Sequence, residues 1–518
     1  MISNLCRAAI FPLLLLPAAC QTAPEAARLF AITVVDDRTG RGVPLVELRT
    51  VNDIRYYTDS NGLVAFDEPG LMDREVFFYV SSHGYEYPAD GFGNRGLKLR
   101  TTPGKTARVP IRRLNIAERL YRVTGQGIYR DTVLLGRKAP IQQPQLDGRV
   151  LGQDSVVATP YGGKIYWFWG DTLRESYPLG NFATAGATSE APGRGGLDPS
   201  LGVDLTYFVD REGFSRGMIP LPDKGLVWID GLLTLNDESG RERLVAHYAR
   251  MKSLGERLEH GLIVFNDRTQ TFERLLRFDL NAPCAPGGQA FKAASGGVEY
   301  IYFALPYPFV RVRSDWKQLV DPRAYESFTC LAKGSGYDRA APKLDRGAGG
   351  ELIWSWKPGT AALDSGRQRE LIADKTLPPR AAWIDLRDAE SGKVVQAHAG
   401  SVHWNGFRRR YVMICQEAEG SSSFAGEIWY SEADAPEGPW QWARKIVSHR
   451  QYTFYNPCQH DFFDQDRGRT IYFEATYTDE FSGAKERTPR YNYNQIMYRL
   501  DLSDPRLALP PPRPPVQP

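Results

Sequence analysis

From Leu29 to Leu502 the chain reads as short apolar runs punctuated by turn residues, which is the pattern of β-strands. FAITVVD (30–36), VPLVELRT (43–50), IRYYTDSNGLVAF (54–66) and VFFYVSSHGY (76–85) come first, with turns at Thr39-Gly40, Asn61-Gly62 and His83-Gly84. Later, between His398 and Val447, the runs SVHW, FRRRYVMIC, GEIWYSEAD and WQWARKIV are separated by Asn405-Gly406 and an APEGP turn. This predicts a four-stranded antiparallel meander, the composition of one propeller blade. ERLVAHYAR with HGLIVFND, VEYIYFALP, ELIWSWKP, and CQHDFFD with RTIYFEATYT and QIMYRLDL read as further pieces of the same kind. Arg174–Leu201 and Pro322–Gly350 read as turn-rich insertions, and PPPRPPVQP as an extended tail outside the fold.

The sharpest local pattern is LDGRVLGQDSVVATPYGGKIYWFWGDT (146–172). Gly162-Gly163 can take the positive φ of a primed two-residue turn, which predicts the pairs Tyr161–Lys164, Thr159–Tyr166, Val157–Phe168 and Val156–Trp169. That register sets Asp154 opposite Asp171, with Cβ atoms about 5 Å apart. Carboxylates so close disfavour joint ionisation and push one pKa upward, as a general acid and its partner require. The alternative is that Asp171 accepts backbone N–H bonds in a Gly-Asp-Thr turn while Asp154 caps a loop. Ile165–Trp169 is apolar on both faces, so its strand is expected to be covered on both sides.

Composition narrows the classes. The 518 residues carry a net charge of +3 with no basic run, which argues against nucleic acid as a partner. The 11 Trp, 26 Tyr and 24 Phe suit a large β-core and also sugar-stacking surfaces. The seven His show no HExxH or clustered spacing, so no catalytic metal or cofactor is expected, although a structural Ca²⁺ in a propeller channel is compatible with the pattern. At the N-terminus, Arg7 and the run Ala8–Leu16 read as a signal peptide (1–19). Leu16-Pro17-Ala18-Ala19-Cys20 resembles a bacterial lipobox with Cys20 lipidated, departing from it at Pro17; the alternative is cleavage after Ala19 and secretion. Residues 20–28 would then be anchor and tether, placing the protein on the outer membrane or cell surface, with the lipid as its one membrane contact. Cys284, Cys330, Cys415 and Cys458 allow up to two disulfides, and a stray buried thiol accounts equally well for Cys415.

Two resemblances follow from these residues. VVDDRTGRGVP (34–44), TDSNG (58–62) and Gly84-Tyr85 resemble the carboxypeptidase regulatory-like module, which implies a transthyretin-like β-sandwich over 29–113 with an accessory role. DSVVATPYGGKIYWFWGDT, together with YNPCQHDFFDQDRGRTIYFEATYT and YNYNQIMYRLDL, resembles the first and last blades of five-bladed β-propeller glycoside hydrolases, especially the endo-D-arabinanase family. The resemblance implies an all-β propeller of five blades over 120–502 with Asp154 and Asp171 as the catalytic pair; composition assigns 503–518 to a Pro-rich tail. The middle, about Arg174 to Arg380, matches nothing in that family, which leaves the sugar open.

Other residues could complete such a site. Asp230 follows the apolar GLVWI, Glu259 begins a strand opposite Arg250, and Glu417 follows an apolar strand, so each is a candidate third carboxylate. Arg250, Tyr455, Asn456 and His460 are candidate sugar ligands, with a hydrogen-bonded core histidine as the alternative for His460. The functional expectation is a surface-anchored glycoside hydrolase acting on an extracellular polysaccharide. The rival readings are a non-catalytic glycan-binding propeller and, with less to support it, a polysaccharide lyase.

Overall fold

The computed structural model describes residues 28–513; the expected signal peptide, Cys20 with its expected lipid, the expected tether before Arg28 and residues 514–518 lie outside them. The first unit is a pair of four-stranded sheets. One runs Leu63–Phe66, Phe30–Asp36, Thr106–Arg113, Tyr85–Glu86, and the other Arg55–Tyr57, Glu47–Thr50, Glu75–Ser81, Gly96–Arg100. Alternation supplies their shared core: Ile32 and Val34 from one sheet meet Leu48, Phe78 and Val80 from the other.

Five sheets of four or five strands, antiparallel except at one edge, follow in chain order among the described residues, with a small three-stranded sheet (Val150–Gln153, Thr172–Arg174, Tyr177–Asn181) beside the first. Their first strands are Val157–Tyr161, Leu226–Asn236, Gln289–Ser295, Ala397–Asn405 and Thr453–Gln459. Consecutive first strands pack beside one another, which makes them the inner wall of a ring. The fifth sheet ends in Asn494–Asp501, and its outermost strand is Glu118–Arg122, from the segment before the first sheet. That strand closes the ring, so the last sheet is completed from the opposite end of the sequence.

Hydrophobic cores fill the gap between each neighbouring pair of sheets. Ile165, Trp167 and Trp169 face the fifth sheet, while Phe168 faces the second. The double-sided apolar pattern of Ile165–Trp169 therefore marks a strand buried on both faces, as its sequence predicts. The expected meander at 398–447 forms with strands Ala397–Asn405, Arg410–Glu417, Glu427–Ala433 and Trp442–Ser448, and the short strand Arg387–Asp388 adds to its outer edge in parallel.

Several expectations need correction. Both supposed insertions contain sheet strands: Ala185–Glu190 is the third strand of the first sheet, and Glu326–Thr329 belongs to the third sheet. Ala185–Glu190 lacks large apolar residues because it packs under aromatic rings; a Cβ at Gly186 would stand 2.8 Å from the Phe168 ring. The rest of the second insertion is gathered by Lys357, whose buried ammonium donates to the carbonyls of Thr329 (3.2 Å), Leu331 (2.8 Å) and Ile353 (3.2 Å) and pairs with Asp345. The described part of the tail is not outside the fold. Leu507 is buried, Trp442 donates to the Pro511 carbonyl at 3.1 Å, and the Arg513 guanidinium grips Asp385 at 2.6 Å and lies over the Trp442 ring. All four described cysteines are buried free thiols, so neither disulfide forms.

The sandwich is bolted to the closing strand. Arg119, 1% exposed, donates to the carbonyls of Pro44 (3.1 Å) and His83 (3.0 Å) and to Ser82 Oγ. Tyr491 donates to the Thr58 carbonyl at 2.6 Å and accepts from the Leu45 N–H. His83 stacks on His449 of the ring with centroids 5.1 Å apart, and their outer nitrogens meet Tyr477 and Tyr498.

Candidate functional site

The opening hairpin forms in the predicted register. Gly162 and Gly163 have φ of 56° and 83°, and Tyr161–Lys164, Thr159–Tyr166 and Val157–Phe168 are paired. The ladder resumes at Gln153–Thr172 with the same offset, so Asp154 stands opposite Asp171. The Val156–Trp169 pair is not made. Ser155 turns into the left-handed region (φ 55°), and the Val156 carbonyl instead accepts from Gln289 Nε2 of the third sheet at 3.2 Å. Through the break, the Asp154 side chain replaces a ladder bond: its Oδ1 accepts the Asp171 N–H at 2.8 Å, while its carbonyl accepts from Gly170 at 2.7 Å. Glycine at 170 leaves room for this carboxylate, because a Cβ there would lie 2.4 Å from Asp154 Oδ1 and force it to move.

The two aspartates have different surroundings. Tyr455 donates to Asp154 Oδ2 at 2.6 Å and Ser155 Oγ at 3.3 Å, and Tyr493 also hydrogen-bonds this carboxyl. Burial raises the Asp154 pKa, and these donors, which favour the ionised form, oppose that rise. Asp171 has one side-chain donor, Trp228 Nε1 at 2.9 Å. Burial first, then the negative charges of Asp154 and Glu480, push Asp171 to about 6 despite the indole. The pair thus combines a richly hydrogen-bonded carboxylate with one that keeps its proton into the weakly acidic range.

The neighbouring inner strands present further groups at the same end of the ring, where each first strand begins. Asp230 Oδ2 accepts the Gly288 N–H at 2.9 Å, and its Oδ1 lies 2.6 Å from His247 Nδ1. Asn456, held at φ 52°, donates through Nδ2 to Ser155 Oγ at 2.8 Å and through its backbone to Gln416. Tyr455 and Asn456 therefore support the Asp154 turn directly. Glu417, at the end of the second strand of the fourth sheet, accepts from Trp429 Nε1 at 2.9 Å; burial and then Glu427 push it up to about 7.

Three candidates lie elsewhere. Glu259 is on the third strand of the second sheet, bonded to Tyr248 and ringed by Arg250 (3.2 Å), Arg274 (2.8 Å) and Arg277 (3.2 Å). Burial would raise its pKa, but Tyr248 and the arginines more than offset this and hold it below the usual range, so it is an anchored anion rather than a third site carboxylate. Arg250 is occupied in the same cluster and with the Lys224 carbonyl, which takes it out of the expected ligand set. His460 is wholly buried, with Nε2 2.9 Å from Glu474 and its ring edge-on to Trp167, so the core reading holds.

The sequence reading missed Trp228, Tyr493, Ser155 and Glu480. Trp228 carried the one usable signal, since it sits two residues before Asp230 and therefore on the same face of an extended strand.

No family model matches the sequence, and no curated protein matches it. Solved structures are similar to it. They include the GH43_1 enzyme from Xanthomonas citri complexed with xylotriose (11% identity, TM-score 0.33, 68% of this chain and 87% of that one). An exo-β-1,3-galactanase from Phanerochaete chrysosporium with galactose aligns over 76% of this chain and 66% of that one (9% identity, TM-score 0.36). A GH43 β-1,3-galactosidase with galactodeoxynojirimycin aligns over 70% and 93% (8% identity, TM-score 0.35).

Proposed function

We propose that the chain is a glycoside hydrolase whose five sheets are the blades of a β-propeller, with Asp154 and Asp171 as its carboxylate pair. The observation that carries this is their placement: opposite one another and joined through the Asp171 N–H, with Asp154 held by the hydroxyls of Tyr455 and Ser155 and Asp171 by the Trp228 indole alone. In this reading Asp154, held by Tyr455, Tyr493 and Ser155, is the ionised group that activates water or attacks the sugar. Asp171 holds the proton for the leaving oxygen. The substrate is an extracellular polysaccharide, and the first-blade resemblance favours one containing furanoses. The transthyretin-like sandwich serves as a rigid spacer, and a lipid on Cys20 would hold the enzyme at the cell surface.

The test is release of reducing ends from plant, algal and mycobacterial glycans. Asp154→Asn and Asp171→Asn should each lower turnover by about 10²-fold or more with thermal unfolding nearly unchanged. Near-wild-type turnover in both variants overturns the assignment.

A second reading is favoured by one observation, the saturation of Asp154 with hydrogen bonds. A non-catalytic glycan-binding propeller would use such a carboxylate to brace its mouth. Binding on a glycan array with no released reducing ends would support it.

A further inference from the structure

Behind Asp230 runs a chain of three contacts. Asp230 Oδ1 is 2.6 Å from His247 Nδ1, His247 Nε2 is 3.1 Å from His260 Nδ1, and His260 Nε2 is 3.0 Å from the Asp279 carbonyl oxygen. Both rings are buried, at 4% and 1% exposure, while the Asp230 side chain is 39% exposed at the mouth. The terminal carbonyl can only accept, so His260 Nε2 carries a hydrogen. Each of the three contacts needs one proton, and two neutral imidazoles supply two. The third is therefore an additional proton, and Asp230, His247 and His260 together carry no net charge, where a bare carboxylate with two neutral rings would carry −1.

The surroundings place that proton. Burial first, with Arg257 adding to it, holds His260 down to about 4, so His260 is the neutral ring; with its Nδ1 accepting from His247 Nε2, the contact left to hold the additional proton is the 2.6 Å one between His247 and Asp230. Phe278 stacks on His260 and meets His247 edge-on, and the Phe303 ring closes over Gly231. The charged or titratable groups that act on His260 are Arg257, His247 and Asp230, and Asp279 contributes its carbonyl. On the mouth side, Trp228 shares the strand face of Asp230 and donates to Asp171.

We propose that His247 and His260 are positioning residues that hold one extra proton against Asp230, so that Asp154 and Asp171 work beside a charge-neutral unit instead of a third anion. This rests on the hydrolase reading for its effect on turnover, but not for its proton count. If the relay opens, Asp230 becomes a bare carboxylate two residues from the indole that binds Asp171, and Asp171 should hold its proton to higher pH.

The experiment has two arms on the full-length protein. Long-range ¹H–¹⁵N spectra of histidine-labelled wild type at pH 7 should show His260 protonated at Nε2 alone and His247 carrying hydrogen at Nε2. A His247 protonated only at Nδ1, or a His260 protonated at Nδ1, overturns the proposal. In the second arm, His260→Gln keeps an amide donor for Asp279 and an oxygen to accept from His247, whereas His260→Phe keeps neither. The limb of the pH–rate profile set by Asp171, read on an aryl glycoside panel, should move up by about half a unit in His260→Phe and stay in place in His260→Gln. Equal shifts in both variants overturn the proposal. If wild type cleaves none of the glycosides, the hydrolase reading fails and the spectra alone decide the relay; they also decide it if His260→Phe does not fold.

Discussion

Trp228 Nε1 donates to Asp171 Oδ1 at 2.9 Å, so a carboxyl on the first sheet is held by the inner strand of the second. This bond opposes burial and the nearby negative charges, which otherwise drive the Asp171 proton affinity upward. Trp228→Phe should raise Asp171 above about 6. The proton is then kept to higher pH, and the corresponding limb of the pH–rate profile moves upward. A ¹³C titration of the Asp171 carboxyl gives the same reading without substrate. An unchanged or lowered midpoint contradicts it.

Gly170 lies against the other member of the pair. In Gly170→Ala the new methyl would stand 2.4 Å from Asp154 Oδ1, so the carboxylate must swing away from the Asp171 N–H. Turnover is expected to fall at least about tenfold while stability drops by about 1 to 2 kcal/mol. Calorimetry alongside kinetics separates the two effects, and full activity would mean that the Asp154 contact is dispensable.

The seam between sandwich and ring predicts a pH dependence of stability. Burial pushes His83 down to about 3 and His449 well below the usual imidazole range, each also repelled by Arg119. Below about 6.5 the unfolded chain takes up these protons and the folded protein does not. Stability is therefore complete above that pH and falls as pH drops toward 3, by about 1 to 2 kcal/mol per histidine at pH 5. His449→Phe should flatten the slope of the denaturant midpoint between pH 7 and 5. An equally steep slope in the variant would assign the dependence to other groups.

Lys357 organises the loop of the third sheet from within. Lys357→Met leaves three carbonyls and the Asp345 carboxylate without their donor. The expected loss is about 2 kcal/mol or more, read from the urea midpoint, with proteolysis of the 330–354 segment rising in parallel. A variant as stable as wild type would show that the loop is held by its apolar contacts alone.

The legible part of the molecule was local. A Gly-Gly turn and a strand apolar on both faces were enough to place Asp154 opposite Asp171, because register in a hairpin follows from the turn. What stayed hidden depended on distant partners. His460 could be read either way until Glu474 appeared beside it, and Glu259 looked like a free carboxylate because its arginines reach it from neighbouring strands. Ala185–Glu190 escaped notice because a strand beneath large rings is built from small residues, which carry no hydrophobic signal. The tail looked like a free Pro-rich end because its seat is Asp385, 128 residues earlier.

The closing strand Glu118–Arg122 also sets an order of events at birth. It leaves the ribosome before any of the five sheets, yet its hydrogen-bonding partner, Asn494–Asp501, is made after every other strand of those sheets. Until then its edge is unpaired, and Arg119 can be satisfied by the sandwich while the fifth sheet still lacks its outer strand. The finished sandwich would thus hold that strand out as a template, and the final step of folding becomes the capture of one end of the ring by the other.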